Sequence, residues 1–414
     1  MGEIGYNPQV NTMTSPIGLL DSIGIDSFKT DTERYAAKEA ARRLLARIET
    51  PFERIWALAF ENPVLVAGLQ LCQDLGVWAK WTEAASKGED GKIQTLDSLL
   101  GFCNTTVEPN LLYRFLNHMA ALDVLEEVGP NTWNPTAFSL AMGDGVSYID
   151  QGVRCGLDHT IPCGVNLAKF LKENGYREPL DKDKFDNYRD LFGDDFFAFC
   201  QKNPGAGGSF IGLMTALRNH KMVWTDVYDT RQLLQGADLE GEGKVPLFVD
   251  IGGAHGLDTQ HLLTRHPDRV PEGALFVEDL PGVVSTHAHE ELDLRIKRVP
   301  YDFFTPQPIL HSRAYFLHAV PHDWSDTDCL RIFANIKAAM KPGYSKLLIY
   351  EVVLPARGAT SLMTTLDLQL MNCVSGLERT EGHWARLLGE AGFKIVEISR
   401  HHRAVESVIE AELL

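Results

Sequence analysis

The stretch Leu247-Phe248-Val249-Asp250-Ile251-Gly252-Gly253-Ala254-His255-Gly256 restricts what this chain can fold into more than any other. An apolar run that ends in an acid and a glycine cluster, just ahead of a helix-like segment, is how a nucleotide-type cofactor site begins. Residues 247–249 read as a strand buried on both faces. Gly252, Gly253 and Gly256 permit the tight turn that brings backbone N–H groups and a helix N-terminus against a ligand. Asp250 then stands at the carboxyl end of the strand, over the ligand crevice. A helix over 259–265 follows, and a second apolar run, 274–277, ends at Glu278-Asp279-Leu280-Pro281. This puts an acid roughly 20 to 30 residues beyond the glycines, where such folds hold a ribose. A glycine-rich turn also serves as a plain helix cap, so the neighbouring motifs have to decide.

The rest of the chain supports a doubly wound α/β fold preceded by a helical region. From about 244 onward, strand-like runs at 247–250, 274–278, 296–299, 314–319, 346–352 and 394–399 alternate with helical patterns. That spacing predicts a mostly parallel sheet with its ligand over the strand ends. Residues 1–30, rich in Gly, Ser, Thr, Pro and Asn, read as an extended arm. Residues 32–48 have helical periodicity, and 51–81 are apolar on several faces, which demands burial in a core or a subunit interface. Helical patterns at 95–100 and 110–122 and a hairpin at 124–133 complete a winged-helix outline within 31–142. Residues 143–235 form a middle segment with aromatic and Met stripes, and 236–414 the cofactor-binding domain.

Charge and cysteine usage narrow the partners. A net charge of -17 leaves no basic face for nucleic acid or an anionic membrane, and the would-be recognition helix offers only Arg114 and His118. A small molecule is the expected partner. Seven scattered cysteines without a C-x-x-C pair imply neither a disulfide framework nor a zinc site, and suit a reducing cytoplasm. The first 30 residues lack a signal-peptide pattern, and no run of about 18 apolar residues is apparent.

Further strings carry a resemblance. His322-Asp323-Trp324-Ser325-Asp326, Asn335-Ile336-Lys337-Ala338-Ala339-Met340-Lys341-Pro342-Gly343, Glu351-Val352-Val353-Leu354-Pro355 and Glu378-Arg379-Thr380, with the glycine turn, resemble the caffeate-type class I S-adenosylmethionine (SAM)-dependent O-methyltransferases, closest to their fungal secondary-metabolism branch. The resemblance implies a Rossmann-like methyltransferase sheet, a winged-helix domain used for homodimerisation, and SAM as cofactor with S-adenosylhomocysteine as product. It assigns Asp250, Gly252, Gly253, Gly256, Asp279, Leu280, Asp302, Phe303, His318 and Asp323 to the cofactor, and Phe210, Met214 and Trp324 to the acceptor. His159 reads as a surface-loop histidine, with reach to the acceptor pocket as the alternative. Two positions depart from the family: Ala254 replaces its usual third glycine, and His318 stands where plant members often carry lysine.

His322 is the candidate general base, flanked by Glu351 and Glu378, either of which would accept its second N–H. Full proton transfer from a phenol of pKa ~10 to an ordinary imidazole of ~6.5 is uphill by about 5 kcal/mol, so transfer must be concerted with attack or assisted by a carboxylate. The plain alternative is a structural histidine capping the helix that follows. Two rival functions remain at this point: a SAM-binding cyclase or dehydratase that keeps its methyl group, and a non-catalytic winged-helix regulator.

Overall fold

The computed structural model describes residues 15–179, 185–239, 246–286 and 292–414. The first fourteen residues of the expected arm lie outside these. Met1–Ala67 and Gly68–Leu414 form two compact units.

In the first unit the described part of the arm is not extended. It holds a short helix, Pro16–Asp21, whose first turn is capped by the Ser15 hydroxyl, and a 3-10 turn, Ile25–Ser27. Thr30 caps the helix Asp31–Ile48, and Thr50 and Glu53 form a reciprocal capping box at the start of Pro51–Trp56. These caps explain why a glycine- and serine-rich beginning still nucleates helix: each satisfies backbone donors that the first turn leaves free. The helical stretch Pro51–Asp74 is long and apolar enough, by length and composition, to cross a bilayer, though it is not an uninterrupted apolar run. Glu53, Arg54 and Glu61 break the apolar run in sequence without breaking the helix. Phe52, Trp56 and Phe60 stack in series at 5.8 and 4.7 Å along an exposed face.

The second unit opens with helices Val77–Ser86, Leu96–Phe102 and Pro109–Ala121 and a small antiparallel sheet of β1 (Gln94–Thr95), β2 (Leu125–Gly129) and β3 (Thr132–Pro135), in the order β1-β3-β2. This is the expected winged-helix outline with one added strand. Leu112, Leu116 and Met119, spaced to share one helix face, are buried with Trp78, Trp81 and Trp133.

The large sheet comprises β4 (Phe248–Ile251), β5 (Leu275–Asp279), β6 (Ile296–Pro300), β7 (Ala314–His318), β8 (Lys346–Glu351), β11 (Phe393–Ser399) and β12 (Ser407–Leu413), and a separate two-stranded pair is made by β9 (Val353–Leu354) and β10 (Arg379–Thr380). Its order is β11-β12-β8-β7-β4-β5-β6; β4 to β8 run parallel, and β12 enters antiparallel between β8 and β11. The six predicted strands are all present, and β12 is the one not anticipated. The strand order reverses between β4 and β7, the crevice where such sheets bind ligands. β4, β7 and β8 bury side chains on both faces, consistent with helices covering each side.

One cover is formed by the helical segment before the sheet. Trp224, fully buried, stacks on Phe248 at 5.3 Å and Phe316 at 4.8 Å and so locks that segment onto β4 and β7. Replacing Trp224 with Ala should destabilise the fold by about 3–5 kcal/mol, the cost of an aromatic cavity. A denaturant midpoint unchanged from the parent protein would contradict this packing role.

Candidate active site

The glycine turn is built as the sequence predicts. Gly252 and Gly256 both have positive φ, +75° and +77°. A Cβ at Gly252 would meet Val320 at 2.7 Å, and one at Gly256 would meet Leu292 at 2.7 Å and Val277 at 3.1 Å. At Gly253 it would fall 2.6 Å from the Asp250 carboxyl carbon. Ala254 also adopts positive φ, +39°, and its N–H donates to Asp279 Oδ2 at 3.0 Å. A left-handed conformation that favours glycine is thus imposed here on an alanine, and the carboxylate of β5 holds it there.

Asp250 is buried at the end of β4. Its Oδ2 accepts from Thr259 Oγ1 at 2.9 Å, while Oδ1 has no partner. Burial, with Asp258 nearby, pushes its pKa up to about 8. Above the turn lies a cleft of about 330 Å³. Asp250, Gly252, Gly253, His318 and Met214 all line it, so five of the predicted site residues converge there. His318 Nδ1 lies 2.6 Å from Asp258 Oδ2 and its Nε2 3.5 Å from Glu406, which in turn pairs with Lys221. Burial pulls His318 down, but Asp258 and Glu406 outweigh it and hold the imidazole up at about 10, a cation at neutral pH.

The remaining cofactor-side residues follow the strand ends. Asp279 at the end of β5 also accepts from Leu280 N at 2.7 Å. Asp302, exposed, closes its own turn by accepting from Phe304 N. Phe303, Phe304 and Trp324 meet edge to face at 4.8–5.7 Å, so Trp324 sits with the aromatic group near Asp302 rather than among the cleft residues around Met214. Phe210 packs edge-on against Phe196 at 4.7 Å and does not line the cleft. His159 corrects the sequence reading. It is not in a surface loop: it is fully buried, with Nδ1 2.6 Å from Tyr188 Oη and Nε2 2.9 Å from Ala206 O. A single-turn π segment, Gly156–Thr160, turns it inward among Phe196 and Phe199.

His322 occupies the 3-10 turn Pro321–Asp323 after β7. It does not cap the next helix; Ser325 does, accepting from Asp328 N. The residue is gripped on three atoms. Its N–H donates to Glu351 Oε1 at 2.9 Å, its carbonyl accepts from Leu377 N at 2.9 Å, and its Nδ1 lies 3.2 Å from Glu378 Oε1. Because a carboxylate only accepts, Nδ1 carries the proton and Nε2 is the atom left for chemistry. Burial lowers the His322 pKa, yet the Glu378 bond and the nearby Asp323 and Glu351 hold it up at about 9. Burial raises Glu351 to about 7. Glu351 Oε2 and Glu378 Oε2 are both buried without partners.

Asp258, Lys221, Glu406, Gly376 and Leu377 were missed at the sequence level, and Arg379 entered only as part of the Glu378-Arg379-Thr380 string. Asp258 had a signal, an acid in the first turn of the helix Leu257–Arg265 right after the glycines. Glu406 had none, because it reaches the cleft only through the unanticipated β12.

The fold and site define a Rossmann-like cofactor-binding enzyme with a cleft over the glycine turn and an imidazole held by buried acids after β7. The O-methyltransferase domain family matches residues 177–394. O-methyltransferase mfmE of Annulohypoxylon moriforme is 38% identical over 403 residues, 96% of this chain and 95% of that protein. O-methyltransferase ATR12 of Stachybotrys chlorohalonatus is 36% identical over 397 residues, 95% of this chain and 97% of that one. A solved structure described as "A Pericyclic Reaction enzyme" superposes with TM-score 0.82 at 23% identity, covering 96% of this chain and 98% of its own, a likeness of fold alone. The chain belongs to the O-methyltransferase family and is a SAM-dependent O-methyltransferase.

The residues present fit that cofactor. A Cβ at Gly253 would crowd the Asp250 carboxyl and push it from the turn, and the unpartnered Asp250 Oδ1 offers an acceptor among the residues lining the cleft. Gly253→Ala should therefore weaken S-adenosylhomocysteine binding by at least about tenfold, roughly 1.4 kcal/mol. Titration calorimetry returning the parental affinity would remove Gly253 from the binding turn.

Proposed function

We propose that the enzyme methylates a phenolic or enolic hydroxyl of a polyketide-like or aromatic metabolite, with His322 as general base. The observation that carries this reading is the Nδ1 contact with Glu378, which leaves Nε2 to take the acceptor proton. Bound SAM supplies an electrophilic methyl group. The protein's own part is to hold the hydroxyl in line and remove its proton. With His322 held at about 9, transfer from a phenol of pKa ~10 is uphill by about 1.4 kcal/mol, against about 5 for an ordinary imidazole. Glu378 fixes the tautomer, and Glu351 fixes the backbone from which the imidazole projects. Asp250, Gly252, Gly253, Gly256 and His318 would surround the amino-acid end of the cofactor. Asp279, Leu280, Asp302, Phe303 and Asp323 would take its adenosine end, and Met214, Phe210 and Trp324 would contribute to the acceptor side. Seven unpaired thiols support a cytoplasmic setting.

His322→Gln should lower turnover by about 10² or more while leaving SAM affinity unchanged. In the parent enzyme kcat/KM should rise with pH and level off above an apparent pKa near 9, because the free enzyme holds a protonated imidazole below it. A profile already flat at pH 7 would contradict the base assignment. Methyl-labelled SAM distinguishes transfer from a cyclase that only borrows the cofactor's charge. One S-adenosylhomocysteine should form per product, and many turnovers at constant SAM would reject methyl transfer.

The exposed Phe52–Trp56–Phe60 stack, with Ile55 and Leu58 beside it, supports homodimerisation through the N-terminal helices, with residues 31–142 as the dimerisation domain. Trp56→Arg combined with Phe60→Arg should convert a dimer to a monomer in analytical ultracentrifugation. A parent protein that sediments as a monomer would end this assignment.

A further inference from the structure

Arg379 is fully buried, with no exposed surface, and the mechanism above gives it no role. Its guanidinium is completely engaged. Nη1 donates to Pro321 O at 2.9 Å, Nη2 to Trp324 O at 2.7 Å, and Nε to Asp326 Oδ1 at 2.9 Å, while its face lies 5.3 Å from the Trp384 ring. The two carbonyls it holds bracket His322 and Asp323. His383 Nε2 secures the second oxygen of Asp326 at 2.6 Å. The same short segment reaches the other side of the turn: Leu377 N donates to His322 O, and a Cβ at Gly376 would come 2.5 Å from that oxygen.

A buried guanidinium is a costly way to fill a core, since apolar residues of similar volume generally serve stability as well or better. Here Nη1 and Nη2 donate to the two backbone carbonyls that bracket the base, and Nε to Asp326. We propose that Arg379 is a positioning residue for His322, fixing through the carbonyls of Pro321 and Trp324 the turn from which the imidazole projects toward Glu378. Loss of the carbonyl grip lets the ring drift from Glu378, whose hydrogen bond holds the imidazole proton. A weakened Glu378 bond lowers the His322 pKa, whereas an arginine that merely filled the core could be replaced without moving that titration.

This inference rests on His322 as base, and its test needs no acceptor. The full chain, labelled at histidine Cε1, is titrated by NMR with S-adenosylhomocysteine present, and His322→Gln identifies the resonance. In Arg379→Gln the His322 midpoint should fall by about one pH unit or more. Arg379→Lys keeps the charge but cannot grip both carbonyls, so its midpoint should fall by about half as much. A folded Arg379→Gln protein with an unchanged midpoint overturns the proposal. Should that variant fail to fold, Arg379→Lys decides: a lowered midpoint supports the role and a parental one overturns it. Full turnover in His322→Gln would sink the base reading instead, so the two failures are separable.

Discussion

Everything at the proposed catalytic centre depends on one imidazole held among buried carboxylates. An isolated buried histidine would be a weaker base than one in water, because low dielectric disfavours its charged form. Here Glu378 contacts the ring, and Glu351 holds the peptide nitrogen, close enough to reverse that effect. The cost is visible in the same place: each acid keeps one buried oxygen without a partner. Such unsatisfied atoms are destabilising, and they persist where the surrounding fold over-determines them.

The over-determination comes from the sheet. β8 ends at Glu351, and the chain passes at once into β9, which pairs in parallel with β10 beginning at Arg379. Two residues of pairing thereby bring Glu351 and Glu378 to opposite atoms of a turn delivered by β7. The cofactor cleft is assembled in parallel fashion from the turn after β4 and the charge series Asp258, His318, Glu406 and Lys221. That series ties the helix Leu257–Arg265, β7, the approach to β12 and the end of the helix Pro204–His220 to one another.

Local pattern made the parallel sheet, the glycine turn and the His322 motif legible, since each is a run of neighbouring residues with a fixed physical meaning. β12 was hidden because Ser407-Val408-Ile409-Glu410-Ala411-Glu412-Leu413 has two acids where a buried strand expects apolar residues; Glu410 survives there by pairing with Lys346 and accepting from Tyr228. His159 was misread because Asp158-His159-Thr160 looks polar, and only the π turn rotates the ring into an aromatic cluster. The role of Arg379 was invisible for a different reason. Its partners Pro321, Trp324 and Asp326 lie more than fifty residues away in the chain, and two of the three are contacted through backbone carbonyls that carry no side-chain signature.

Glu378 and Arg379 are consecutive at the edge of an extended segment, so their side chains leave it on opposite sides. One grips the imidazole and the other the carbonyls flanking it, and opposite charges therefore reach the same turn from two directions. A slip of β10 by a single residue against β9 would exchange the two and bring a guanidinium to the ring in place of an acid. The imidazole would then be pressed to give up its proton rather than keep it. The sign of the electrostatics around His322 is in this sense a matter of registration, set by two parallel residue pairs and by the absence of a side chain at Gly376.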